Sequence, residues 1–203
     1  SVDTDMDFTN VITSAASSAS KSVSDVLPSL TLRYSVTDDV MVRFNYGETL
    51  RRPAFVDLNS NFALTGDLTQ VGYGTGTGGN PDLEAATSKN YDLTVEWYFA
   101  KDSAVYATGF RREIDGLVVP LTRRITIPNT GLNTSQFVVT QPVNASDGTL
   151  DGIELGFVYF PDYLPGFLQG LGATGSFTKL NSEQTIPLTN AAGEIIGTDK
   201  SEF

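Results

Sequence analysis

The chain has 203 residues, with 24 Asp and Glu against 13 Lys and Arg, a formal net charge of −11, and neither His nor Cys. Without His or Cys there is no disulfide framework, no thiolate or imidazole metal site, no Ser-His or Cys-His nucleophile system and no His general base, so the sequence implies neither a catalytic site nor a cofactor. The acidic balance argues against a nucleic-acid partner, because neutralising phosphates takes a surplus of Lys and Arg.

No run of about 18 apolar residues is present, so no transmembrane helix is expected. A mean hydropathy of −0.08 leaves a spanning barrel open, since alternating strands average near zero. The chain begins at Ser1 without the basic and apolar regions of a signal peptide, as a processed chain or a piece of a longer one would.

Residues 1–29 read as loop or linker, with alternating Asp3, Asp5 and Asp7 ahead of a Ser/Ala-rich run from Thr13 to Ser20. The three carboxylates have the spacing of a calcium loop, but Phe8 and Ser14 stand where the motif needs Gly and Glu, so solvated loop charge is the better reading. From Leu30 the pattern has period two. Leu30, Leu32, Tyr34 and Val36 alternate with polar residues, and after Thr37-Asp38-Asp39 the alternation resumes at Val40, Val42, Phe44 and Tyr46. A turn of those three residues pairs Val36 with Val40, keeps both apolar sets on one face, and sets Arg33 opposite Arg43 on the other.

A long loop is expected over 51–87. Its Gly74-Thr75-Gly76-Thr77-Gly78-Gly79 run matches a dinucleotide-binding string, but no buried strand precedes it and no helix follows, so it reads as a flexible loop tip. The second hairpin pairs Tyr91, Leu93, Val95, Trp97 and Phe99 with a return strand from Ser103 to about Leu117. A two-residue turn at Lys101-Asp102 would set Tyr106 opposite Trp97 and put Ala104, Tyr106, Thr108 and Phe110 on the apolar face. A second long loop is expected over 119–148. The third hairpin carries Ile153, Leu155, Phe157 and Tyr159, then Leu171, Ala173, Gly175 and Phe177, and 183–203 reads as loop.

Three hairpins over 30–182 thus have short connections at one end and long ones at the other. A membrane barrel has that asymmetry, with strands of about 9 to 11 residues, short periplasmic turns and long extracellular loops. The charges Arg33, Arg43, Glu96 and Glu154 fall on the phase opposite the apolar one, as lumen-facing residues would, although any half-buried sheet segregates charge in this way.

Particular words then carry a family resemblance. Leu27-Pro28-Ser29-Leu30-Thr31-Leu32-Arg33-Tyr34, Thr37-Asp38-Asp39, Thr49-Leu50-Arg51-Arg52-Pro53, Gly79-Asn80-Pro81-Asp82-Leu83, Asn90-Tyr91-Asp92-Leu93 with Glu96-Trp97-Tyr98, Asp151-Gly152-Ile153-Glu154 and Leu164-Pro165-Gly166 occur in the order found in the barrel region of TonB-dependent outer-membrane receptors, which residues 27 to 180 resemble. The resemblance implies an all-β fold: about six strands of an antiparallel, up-and-down transmembrane barrel of 22 strands, plugged by an N-terminal domain that this sequence does not contain. It further implies a place in the bacterial outer membrane and import of a bulky nutrient, such as a siderophore-iron complex, cobalamin or a glycan. The implied partners are membrane lipid, the remaining barrel strands, the plug, the TonB complex reached through the N-terminal region, and the small-molecule or glycan ligand. A passive porin-like barrel and a secreted β-sandwich adhesin or glycan-binding module remain as alternatives. Six strands leave two open edges, so the segment is not expected to act alone, and Phe203 does not read as the last residue of a finished barrel.

Two groups of candidate residues follow. Arg33, Arg43, Glu96 and Glu154 either brace the barrel wall, with an Arg43 to Glu96 pair, or contact substrate or plug. Phe55, Asn61, Phe62 and Tyr73 belong to a long loop of the kind that forms the extracellular ligand mouth in this family. Glu113 and Asp115, two apart on a strand, have no feature that would make them an acid/base pair.

Overall fold

The computed structural model describes residues 2–10, 17–70, 72–190 and 193–202. Among them eleven strands occur: β1 (Val2–Asn10), β2 (Ser17–Asp25), β3 (Ser29–Ser35), β4 (Val40–Arg51), β5 (Phe62–Gln70), β6 (Tyr73–Gly78), β7 (Ala86–Ala100), β8 (Ser103–Thr126), β9 (Gln136–Tyr159), β10 (Ala173–Thr189) and β11 (Ile195–Ser201). One open sheet has the order β11-β10-β9-β8-β7-β4-β3, and every neighbouring pair in that path is antiparallel. This is an arc of an up-and-down barrel.

The first hairpin has the register its turn demands. Arg33 faces Arg43, and the Val36 N–H donates to the Val40 carbonyl at 2.8 Å. The second hairpin departs from expectation. Asp102 takes a positive φ of 57°, and the pairing slips by one residue between Trp97 and Ala100. That bulge sets Val105 opposite Trp97 and Tyr106 opposite Glu96, so Tyr106, Thr108 and Phe110 face the lumen while Val105, Ala107 and Gly109 face outward. The wall has room for the rings on that side. Tyr106 lies flat over Gly156 and Phe110 over Gly152, each on the neighbouring strand β9. Replacing Gly156 by Val would drive a side chain into the Tyr106 ring and is expected to destabilise the receptor by about 1–3 kcal/mol. Gly109, with nothing within 4 Å of where its Cβ would stand, is expected to accept Val without loss. The temperature at which the folded species converts to the unfolded one on an SDS gel checks both.

Three segments expected as loops are strands. Residues 1–29 contain the β1–β2 hairpin, with Val2 paired to Asp25 and Asn10 to Ser17. Residues 13–16 of the Ser/Ala-rich run, and the side chains of Asp3, Asp5 and Asp7, lie outside the described residues, as does Phe203. Most of 119–148 belongs to β8 and β9, which are 24 residues long each against the roughly 9 to 11 that cross a bilayer. Their outer halves therefore stand above the membrane as a paired ribbon, and β10 with β11 does the same, Gln184 to Thr189 pairing with Ser201 to Ile195.

The 52–85 connection is folded too. It carries the β5–β6 hairpin, and β6 reaches across β8 to pair in parallel with β9, from Gly74 with Phe137 to Thr77 with Thr140. The glycine-rich run is thus a strand. A Cβ on Gly74 would stand 2.7 Å from the Phe137 ring, and one on Gly78 would meet the Phe62 ring, so the glycines admit aromatic rings flat against the backbone.

Burial divides the molecule. Among the described residues the buried apolar side chains are Leu58, Leu83, Ala86, Leu121, Phe137 and Val139, all in the crown formed by the 52–85 connection, the first residue of β7 and the outer halves of β8 and β9. The lower wall exposes Leu32, Tyr34, Leu93, Val95, Trp97, Leu155, Phe157 and Phe177 on its outer face, and the sheet order places no second sheet over them. A β-sandwich would bury that face against a partner sheet. A face this apolar suits hydrocarbon.

Candidate functional site

The inner face of the wall carries a polar row. Cross-strand pairing places Arg33, Arg43, Thr94, Thr108, Glu154 and Thr178 side by side on β3, β4, β7, β8, β9 and β10. At about 4.8 Å per strand the row runs some 24 Å around the lumen, positive at one end and negative toward the other. Thr94 and Thr108 share a hydrogen bond of 3.0 Å, and the Tyr106 hydroxyl donates to Glu154 at 3.2 Å. Glu96 lies diagonally across from Arg43, and its carboxylate meets the guanidinium at 3.4 Å while accepting a 2.7 Å hydrogen bond from the Tyr98 hydroxyl. Arg33 has no acidic partner among the described residues. Two opposed guanidinium groups, only one of them bonded to a carboxylate, are therefore built into the wall.

Higher on the same face Arg112 bonds Asp92 at 2.7 Å and lies 5.7 Å from the Phe110 ring centre. Above it two bulges interrupt the β8–β9 ladder, one around Gly116 with φ +72°, the other near Ala145. An extra residue in each strand flips the alternation twice in concert, so Leu121, Arg123 and Ile125 of β8 stay on the inner face with Gln141, Val139 and Phe137 of β9.

That inner face is covered by the 52–85 connection. Gln141 donates to the Gly79 carbonyl at 2.8 Å and accepts from Arg123 at 3.0 Å. Asn80 donates to the Pro142 carbonyl at 3.1 Å, while Asn144 both accepts from the Glu84 N–H at 2.8 Å and donates to its carbonyl at 3.0 Å. Polar contacts of this kind, 5% exposed at Gln141, hold the connection as a strap across the inner face of β8 and β9. A second tie joins Arg52 to Asp25 of β2 at 3.0 Å.

Phe55, Asn61, Phe62 and Tyr73, the four residues expected at a ligand mouth, are divided by this arrangement. Asn61 and Phe62 line one cavity of about 410 Å³ with Asp57, Asn59, Thr77 and Gly79. Phe55 stands 72% exposed outside it, and Tyr73 lies under the Arg124 guanidinium, 4.5 Å from its ring centre. Phe137, Gln141 and Arg124 were not singled out by sequence, because the bulges and the opposed Pro120 and Pro142 break the alternation that would have marked their strand.

A sheet arc with an apolar outer face, a charged inner face and a strapped crown at one end defines part of a plugged or channel-type membrane barrel. The sequence model of the family described as "TonB dependent receptor-like, beta-barrel" matches residues 2–199, and the chain belongs to that family. No curated protein matches it significantly. Among solved structures, a single-residue mutant of the ferric enterobactin receptor PfeA from Pseudomonas aeruginosa shares 18% identity with a TM-score of 0.58, over 82% of this chain and 25% of the receptor. A second PfeA mutant, in complex with enterobactin, shares 16% identity at the same TM-score and coverage. At that identity the likeness concerns the fold, and the chain spans about a quarter of those receptors' length.

Proposed function

We propose that the chain is part of an outer-membrane receptor that imports a bulky nutrient with energy drawn from TonB, and that a ferric siderophore is the first ligand class to test. The observation that carries this reading is the strap. A passive channel keeps its mouth open to solvent, whereas here the 52–85 connection is fastened across the inner face of β8 and β9 by Gln141, Asn80 and Asn144. A structured crown above a charged lumen suits capture of a large ligand before passage. The likeness to ferric enterobactin receptors supports the ligand class, while cobalamin and glycans remain the other arms of the test. The plug, the remaining strands and the TonB complex are partners supplied by the rest of the receptor, and Arg33, Arg43, Glu96 and Glu154 lie where plug or passing ligand would meet the wall.

The test is uptake. Cells lacking the receptor gene should lose accumulation of one labelled ligand among ferric siderophores, cobalamin and oligosaccharides, regain it with the gene on a plasmid, and fail to regain it in a TonB-deficient strain. Equal uptake with and without TonB would overturn the energised reading in favour of a porin-like barrel.

A further inference from the structure

The connection between β9 and β10 is out of proportion to the other two at its end of the wall. β3 joins β4 through residues 36–39 and β7 joins β8 through Lys101 and Asp102, whereas residues 160–172 separate β9 from β10. That longer segment is built, not slack. The Phe160 N–H donates to Ser103 Oγ at 3.0 Å, and the Phe160 ring lies flat on Gly172, which holds the two ends of the segment together. Between them a single 3-10 turn covers Gly166–Leu168, with the Leu168 N–H donating to the Pro165 carbonyl at 3.2 Å and the Leu171 N–H to the Leu168 carbonyl at 3.0 Å. Gly166 and Gly170 take φ of +54° and +88°, bends that a side chain would strain.

On this frame the exposed side chains are apolar. Tyr163, Phe167 and Leu171, four residues apart, are 72%, 94% and 60% exposed, and Asp162 is the one charged residue between 160 and 172. The segment is tied to the outer side of the wall. Trp97, Phe99 and Tyr159 form a chain of outward-facing rings with centres 5.5 and 6.0 Å apart, and the Tyr159 and Tyr163 hydroxyls share a hydrogen bond of 3.2 Å. The exposed tips are thereby continuous with the surface that faces lipid. From Tyr91, paired with Tyr46 at the upper edge, to Phe99 at the lower, β7 spans about 26 Å at about 3.3 Å per residue, or about 20 Å along the membrane normal for strands tilted near 40°. The apolar band of such barrels is about 25 Å tall, which leaves about 5 Å below Phe99 for this connection to fill.

From its rigid frame, its apolar tips and its tie to the outer face we infer that the 160–172 connection is an interfacial anchor, seated in the periplasmic leaflet of the outer membrane. Phe167 and Leu171 lie among the acyl chains, Tyr163 at the boundary with its hydroxyl toward the headgroups, and Asp162 in the headgroup layer. The segment carries no Lys or Arg, so it meets the phospholipid surface by apolar insertion and selects no headgroup. A fluid bilayer accepts tips that stand apart from one another, whereas a protein partner needs a contiguous, complementary patch. The inference rests on the membrane placement of the wall and not on the transported ligand.

The experiment uses the full-length receptor in phosphatidylcholine vesicles, carrying Phe167→Cys, Leu171→Cys, Asp38→Cys or Leu155→Cys one at a time and labelled with a nitroxide. The unsubstituted receptor, taken through the same labelling, gives the background. All four positions are exposed, so the substitutions leave the fold intact. Collision of the label with dissolved oxygen, which concentrates in hydrocarbon, is compared with collision with a water-soluble nickel chelate. The oxygen-to-nickel ratio at 167 and 171 should exceed that at 38, in the turn between β3 and β4, at least fivefold and approach that at 155 on the outer wall. A ratio at 167 and 171 within fivefold of that at 38 overturns the inference by placing the segment in water. Slow collision with both reagents overturns it by placing the segment against the plug or another protein. Nickel-dominated collision at 155 overturns instead the membrane placement on which the inference rests.

Discussion

Phe137→Ala in the full-length receptor is expected to open the crown while leaving the barrel wall closed. Phe137 is fully buried, and its ring fills the space left by Gly74 on the neighbouring β6. Truncation to Ala removes that apolar contact and leaves a cavity, at a cost of about 3–5 kcal/mol. The β6–β9 pairing spans four residue pairs only, from Gly74 with Phe137 to Thr77 with Thr140, so the polar ties at Gln141, Asn80 and Asn144 are the other contacts that hold the strap. The wall below is joined through long ladders that do not include Phe137. The effect should be local. Limited proteolysis should cut between residues 52 and 85 at a rate at least tenfold above wild type, ligand affinity should fall in parallel, and the SDS-gel melting of the barrel should stay unchanged. Val138→Ala, on the opposite face of the same strand, should do none of this. Wild-type protease resistance in Phe137→Ala would show that the strap is held by its polar ties alone.

The difference between wall and crown also explains what the sequence made legible. In the first hairpin nothing but alternation and a three-residue turn sets the register, and Arg33 falls opposite Arg43 as those two features require. The diagonal Arg43 to Glu96 contact follows from the same counting, because β4 and β7 pair without a bulge. In the second hairpin alternation alone cannot choose between two phases. The choice is made by tertiary fit: Tyr106 and Phe110 have glycines to lie upon at 156 and 152 on the lumen side, and a one-residue bulge at the turn delivers them there. The crown was least legible. Its strands carry paired bulges, a Pro opposite a Pro and a run of alternate glycines, each of which normally marks an end of strand. Here each is matched by a partner, bulge with bulge and glycine with aromatic ring, and such matches exist only between segments far apart in sequence. Likewise β2 is Ser-rich without apolar alternation, and the carboxylates alternating along β1 read as solvated loop charge, although the two segments pair from Val2 with Asp25 to Asn10 with Ser17.

Glu96→Gln is expected to destabilise the barrel, and Arg33→Gln in the same chain to restore part of the loss. Glu96 is the acidic side chain that meets Arg43, at 3.4 Å, and its other oxygen holds the Tyr98 hydroxyl. Its neutralisation leaves two guanidinium groups directly opposed across β3 and β4 with no carboxylate bonded to either, a cost of roughly 1–3 kcal/mol for a charged group losing its partner in a half-buried setting. Like charges facing one another across a strand pair repel, so removing Arg33 should relieve that repulsion. The cycle of Glu96→Gln, Arg33→Gln and the double variant, followed by SDS-gel melting of the full-length receptor, should thus give a coupling of opposite sign to the Glu96→Gln loss. Arg33→Gln alone should leave melting unchanged or slightly raised. That last value separates the two roles open to this row of charges. If the pair braces the wall through Glu96, Arg33 is dispensable. If a carboxylate of the plug or an anionic ligand lies between Arg33 and Arg43, Arg33→Gln loses melting temperature or uptake by itself, and the bracing account of Arg43 and Glu96 fails.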